Sequence, residues 1–218
     1  MKKFLICLLA FVMILAMVGC TADPGNIRGE QIDNPTEEKE LSPGEVSGKK
    51  YESTFIGIGF NLPETWEFYT DEEIQELNNY VGDKAGQEYL DLLKNATVVY
   101  DMMATSPSLT DNVIVNLEKV SNVLLNKLDL ASNFETSFAA VKSSLENIGY
   151  RGITKEITTV TIDGETFTAM HLTASFSGKT MHQTSIAIKC NGYLASIAVT
   201  TFDEAGTAPL LENLYLVK

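Results

Sequence analysis

Histidine and tryptophan are almost missing from this chain, with two of the first and one of the second in 218 residues. The motifs that usually carry chemistry are missing as well. There is no Gly-x-Ser-x-Gly elbow, phosphate-cradling Gly-x-x-x-x-Gly-Lys loop, Cys-x-x-Cys pair or His-Glu-x-x-His helix. Gly57-Ile58-Gly59 lacks a third glycine and a following helix, so it reads as a bend between strands and not as a dinucleotide loop. No cofactor is expected, and a catalytic role is disfavoured. Basic residues are also scarce, 16 Lys and Arg against 29 Asp and Glu, for a net charge of −13. So acidic a chain offers no basic face for phosphates, which excludes nucleic acid as a partner.

Cysteine is sparse too, and its three positions carry information. Lys2 and Lys3 precede an unbroken apolar run over residues 4–18. As a helix that run spans about 22 Å, short of the roughly 30 Å hydrocarbon core, so it reads as the apolar part of a signal peptide. The run closes on Met17-Val18-Gly19-Cys20. Small residues before a cysteine at this distance resemble the bacterial lipobox. That resemblance implies cleavage after residue 19 and acylation of Cys20, although the lipobox favours Leu where Met17 stands. Two or three acyl chains, at about 0.8 kcal/mol per buried CH₂, would hold the chain on a membrane almost permanently. Cys7 would leave with the signal segment. Cys190 would then have no partner for an internal disulfide, so the core must hold the fold. Cys190 itself reads as a small residue near a turn, with a nucleophilic role the weaker alternative. Losing Lys2 and Lys3 makes the remainder two charges more negative, so anionic headgroups should repel the body that the lipid holds.

Residues 20–50 form the second zone. They are rich in Pro, Gly and charge and show no period, which reads as a disordered tether of about 30 Å reach. Its Glu37-Glu38-Lys39-Glu40 run is a solvated spacer. Residues 51–218 then make one domain by size.

Within that domain, residues 51–56 and 58–62 read as strands split at Gly57, followed by a turn at Pro63 and an alternating stretch through Trp66 and Phe68. Thr70 with Glu73 is a capping box ahead of Ile74, Leu77 and Val81, with Gly82 as a stop. A second helix is expected through Ala85, Tyr89, Leu92, Leu93 and Ala96. Strands at 98–105 and 113–120 come next. A long helix follows, opened by Ser132 and Glu135, with Phe134, Phe138, Val141, Leu145 and Ile148 as its stripe and Gly149 as its stop.

The dipeptides Asp163-Gly164, Ser177-Gly178 and Asn191-Gly192 separate four runs rich in β-formers, about 153–162, 165–176, 179–190 and 193–202. They predict a meander of two-residue hairpins. Val160, Phe167, Ile186, Ile188, Ile197 and Val199 would share one face. Met170, Leu172, Phe176, Met181, Leu194 and Phe202 would share the other. A sheet apolar on both faces needs cover on both. The expectation is therefore an α+β fold, an antiparallel sheet with a C-terminal hairpin meander and helices covering both faces, closed by a short helix through Leu210, Leu211, Leu214 and Val217.

With its opening hairpin carrying Phe60-x-Leu62-Pro63-x-x-Trp66, a helical stretch, a strand pair, a long helix, a meander and a closing helix, 51–218 resembles the PsbP-like domain family. The resemblance implies an α/β/α sandwich and a binding or assembly module. It transfers no functional residue.

The hairpin arithmetic also brings scattered polar residues together. Two-residue turns put His171 opposite Thr184, His182 opposite Thr173 and Glu156 opposite His171, with the imidazoles as diagonal neighbours about 7–8 Å apart by backbone. Two histidines and a carboxylate on rigid strands are a candidate divalent-metal set. The alternative is a polar end on a sheet whose far end is core. Asp71, Glu72, Glu73 and Glu76 read as dipole partners on a wet helix face before they read as a cation patch. Trp66 reads as a core anchor, or else as a contact point on a groove. Together these features predict a membrane-anchored extracytoplasmic lipoprotein. Its partners would be the bilayer, through Cys20, and a protein or envelope component. The rival reading is a metal- or small-ligand-binding protein, or an enzyme, with a pocket near His171 and His182.

Overall fold

The computed structural model describes residues 41–78 and 98–217. The signal segment, Cys20, most of the tether and the helix expected through 85–96 lie outside the described residues, as do Val81 and Gly82. No helix among the described residues is long and apolar enough to cross a membrane.

The fold is α+β and its sheets are antiparallel. Among the described residues, eleven strands and four helices follow in order: β1 (Glu45–Ser47), β2 (Lys50–Ser53), β3 (Ile58–Asn61), β4 (Glu67–Phe68), α1 (Asp71–Leu77), β5 (Val98–Thr105), β6 (Asn112–Lys119), α2 (Asn122–Lys127), α3 (Leu130–Asn147), β7 (Arg151–Ile162), β8 (Glu165–Phe176), β9 (Lys179–Cys190), β10 (Tyr193–Thr201), α4 (Ala208–Leu211) and β11 (Leu214–Leu216). A seven-stranded sheet runs β4-β5-β6-β10-β9-β8-β7, and a four-stranded sheet runs β1-β2-β3-β11.

The meander forms in the expected register, Ile162 opposite Glu165, Phe176 opposite Lys179 and Cys190 opposite Tyr193. Asp163-Gly164 and Ser177-Gly178 take positive φ at both central positions, as a type I′ turn requires, whereas at the third turn only Gly192 does. Its two faces divide as the alternation predicts. Val160, Phe167, Ile186, Ile188, Ile197 and Val199 join one core. Met170, Leu172, Met181, Leu194 and Phe202 join the other. Phe176 is more exposed than expected and stacks on Tyr150 near the hairpin tip.

Among the described residues the two faces are covered differently. α3 lays Phe134, Val141 and Leu145 on one face, and α1 packs Ile74 against Met103 and Ile114 on that face too. The opposite face is covered chiefly by the four-stranded sheet, through Tyr51, Ile58, Phe60 and Leu214, with Trp66 buried as a core anchor beside them. Among the described residues, helical cover there is the single turn of α4. The expected closing helix stops after Leu211, and Leu214–Leu216 instead pairs with β3, whose edge would otherwise be open. Gly59 makes room for this, because a Cβ there would lie 2.3 Å from the Tyr215 ring.

Other boundaries also move. β1 falls inside the stretch expected as tether, so the fold begins no later than Leu41. α2 was not foreseen. The long helix opens at Asp129, whose carboxylate accepts from the Ser132 N–H, and not at Ser132. The Thr70–Glu73 box forms with both of its hydrogen bonds.

Asp101 ties the N-terminal segment to the large sheet. A bulge between Tyr100 and Met102 places it, and it is 1% exposed. Its carboxylate accepts from the Gly44 N–H at 2.9 and 3.1 Å and from the Tyr51 hydroxyl at 2.6 Å. A side chain at residue 44 would strike the Tyr51 ring, so glycine lets the backbone reach the carboxylate. Hydrogen bonds to a charged acceptor contribute about 1.5–3 kcal/mol each, and an orphaned buried donor costs about as much. Asp101→Ala should therefore destabilise the fold by about 3 kcal/mol or more and Tyr51→Phe by about 1–2 kcal/mol, read as shifts in urea midpoint at unchanged slope.

Candidate functional site

The fold brings the two histidines together. His171 on β8 faces Thr184 and Glu156, and His182 on β9 faces Thr173. The rings stack with centroids 5.8 Å apart and an interplanar angle of 27°. His171 Nδ1 shares a 3.0 Å hydrogen bond with Thr184 Oγ1, which shares a 2.6 Å bond with Thr207 Oγ1 at the start of α4. Gly206 lies against the His182 ring, where a Cβ would come 3.8 Å from it.

The third member does not complete a metal set. Among the described residues, no three of His, Cys, Asp and Glu gather closely enough to hold a metal ion. Glu156 is in register with His171, but it is exposed on an edge strand, and nothing packs its carboxylate over the rings. Its charge reaches His171 only as the weakest of three influences. Burial first, and His182 second, hold the His171 imidazole below its ordinary value. The acidic residues of α1 gather no metal set either. Asp71, Glu72 and Glu73 sit in its first turn, as dipole partners would. Cys190 is half-buried at the core's edge, its Sγ 4.0 Å from the Ile188 carbonyl.

A cleft of about 250 Å³ opens elsewhere, between β4, α1 and the β5–β6 loop. Phe68, Tyr69, Pro107 and Leu109 line it with Glu67 and Glu73. The loop is shaped by hydroxyls. Ser106, Ser108 and Thr110 form a chain of 2.8 Å hydrogen bonds, and Leu109 is held at φ 62°, a conformation that strains a branched side chain by about 1–3 kcal/mol. The sequence marked Phe68 as part of an alternating stretch, Glu73 as part of a capping box and 106–112 as a loop, without bringing them together. Their apolar members are too few and too scattered along the chain to show a period.

The helix-covered face of the large sheet is polar at its centre. Asn112, Asn116, Gln183, Ser185, Ser196 and Thr200 are all buried there. The side-chain oxygens of Asn112 and Ser185 have no hydrogen-bond partner among the described residues. Glu118 continues this strip, 5% exposed, and burial pushes its carboxyl up to about 7.

No family model matches the chain, and no curated protein does. Solved structures do. A protein from Bacteroides thetaiotaomicron aligns with a TM-score of 0.40 and 12% identity, over 79% of this chain and 50% of that one. LpqN of Mycobacterium tuberculosis, described as involved in cell envelope biogenesis, aligns with a TM-score of 0.38 and 15% identity, over 74% of this chain and 83% of LpqN. This chain thus spans half the length of the first and most of the second.

Two titrations follow, with opposite signs. The His171 value is depressed, so the unfolded chain binds its proton first, and His171's contribution to stability should fall as pH drops below 6.5. His182→Ala removes a like charge and should raise the His171 value, read by NMR titration of the ring protons. Glu118 is raised from 4.5 to about 7, so stability should fall as pH rises through that window. Glu118→Gln should stabilise the fold at pH 8 by on the order of 1 kcal/mol and change little at pH 4, measured by thermal unfolding at both.

Proposed function

We propose that this chain is an extracytoplasmic lipoprotein, moored to the membrane through Cys20, whose domain is a non-catalytic binding or assembly module for a protein or envelope component. The single observation that carries the proposal is Lys2-Lys3, the apolar run 4–18 and Met17-Val18-Gly19-Cys20 in that order at the head of the chain. A tether and a folded domain fit behind it. The PsbP-like resemblance of Phe60-x-Leu62-Pro63-x-x-Trp66 supports a module that binds and does not catalyse. The cleft between Phe68 and Leu109 is the place where such a partner would seat. It has apolar walls, an acidic rim at Glu67 and Glu73, and a loop held in a strained shape.

The rival reading, a metal- or small-ligand-binding site or an enzyme pocket, rests on the stacked pair His171 and His182. Calorimetric titration with Zn²⁺ or Mn²⁺ separates the two. Heats that vanish in the His171→Ala/His182→Ala variant would favour the rival.

Mass spectrometry of the native molecule should find Cys20 as the first residue, carrying acyl chains. Cys20→Ser should lose the acylation and accumulate uncleaved. An unmodified Cys20 in the native molecule, or processing elsewhere, removes the mooring. A photocrosslinker at position 109 should give one discrete adduct in intact cells, and Phe68→Ala should weaken it several-fold. A crosslinker on the exposed face of α3, at position 143, should give none.

A further inference from the structure

α2 turns two large apolar side chains outward. Leu125 anchors this short helix in the core, with Leu128 packing beside it. Val123 and Leu124 are left 66% and 54% exposed. Around them the charge of the chain reverses. Lys119 at the end of β6, Lys127 in the last turn of α2 and Lys189 near the end of β9 are all exposed. They meet at one corner. The Val120 N–H donates to the Gly192 carbonyl, Tyr193 pairs with Lys119, and Leu194 pairs with Lys189. No Asp or Glu occurs in 119–128 or in 185–194. The acids that border these stretches in sequence are Glu118, which is buried with its carboxyl raised to about 7, and the exposed Asp129, whose carboxyl is held low by hydrogen bonding to Ser132 first and, more weakly, by the nearby Lys189.

An exposed apolar pair beside the ammonium groups of Lys127 and Lys189, on a chain of net charge −13, matches a surface that offers negative headgroups above an apolar layer. We propose that the corner formed by Val123, Leu124, Lys127 and Lys189 docks on a bilayer bearing anionic lipid. This rests on the reading of the chain as a moored lipoprotein, and it adds an orientation. β6 runs from the cleft end at Asn112 to the docking end at Lys119, eight residues, or about 25 Å. The His171–His182 pair shares the cleft end, since Thr201 faces His182 and Thr200 faces Asn112. Docked through α2, the domain stands with both candidate binding regions raised from the headgroups and turned away from them.

The test uses the full acylated chain, reconstituted in vesicles of equal parts phosphatidylglycerol and phosphatidylcholine, and in phosphatidylcholine alone. Flotation reports mooring, and amide exchange over 122–128 reports docking. The chain should float with both vesicles. Exchange at 122–128 should slow about tenfold in the anionic vesicles only, and high salt, Leu124→Asp or the double variant Lys127→Glu/Lys189→Glu should abolish the effect. Unchanged exchange in β6 and β10 shows that the variants are folded. A chain that floats but exchanges equally in both vesicles overturns the docking and leaves the mooring intact. A chain that does not float removes the mooring and the docking with it. Slowing that needs added envelope protein, or that occurs equally in lipid-free detergent through self-association, assigns the corner to another occupant and overturns the proposal.

Discussion

Every residue of β10 is buried, and the rest of the architecture answers that constraint. A strand at the middle of a seven-stranded sheet with no wet face must be roofed on both sides, because leaving either row of Val, Ile, Leu and Ala in water forfeits about 25 cal/mol per Å². α1, α2 and α3 roof one side. The four-stranded sheet and α4 roof the other. The second sheet is drawn from two distant parts of the sequence, 45–61 and 214–216, which meet in one layer.

The two roofs differ in chemistry. Beneath the small sheet the core is chiefly aromatic and aliphatic, with Asp101, Thr184 and Thr207 as buried polar members that are hydrogen-bonded. Beneath the helices it divides into two apolar patches, with the buried strip of Asn, Gln, Ser and Thr between them. Polar groups held out of water lose solvation that only good hydrogen bonds restore, so this strip is where the fold is least forgiving. Glu118 at its margin weakens the fold as pH rises from 4.5 to about 7, and His171 on the opposite face weakens it as pH falls below 6.5.

The legibility of the sequence follows the range of the interactions. Three two-residue turns fix register locally, so four strands, both their faces and the meeting of His171 with His182 could be read directly. The Thr70–Glu73 box is equally local. β1 and β11 are three residues each: β11 takes its strand character from β3, far along the chain, which no window of sequence contains, and β1 pairs with the neighbouring β2 in a stretch whose composition reads as tether. Helical cover on both faces was the natural inference from a two-faced sheet, and nothing local distinguishes a helix from a second sheet as the roof. The histidine pair was legible because it rides on the hairpins. The cleft was not, because Phe68 and Leu109 converge only once β4 pairs with β5. Glu156 shows the opposite error, since correct register opposite a histidine does not hold an exposed side chain in place.

The grip of Asp101 on Gly44 has a mechanical consequence. Tension entering from the N-terminal side reaches Gly44 before it reaches β1, so the load falls first on two hydrogen bonds to a buried carboxylate and only then on a three-residue edge strand that could be peeled away. The carboxylate sits in the large sheet, and so a tug is passed to the broadest part of the molecule. A chain fastened this way could be dragged by its leading end without its thinner layer unravelling first.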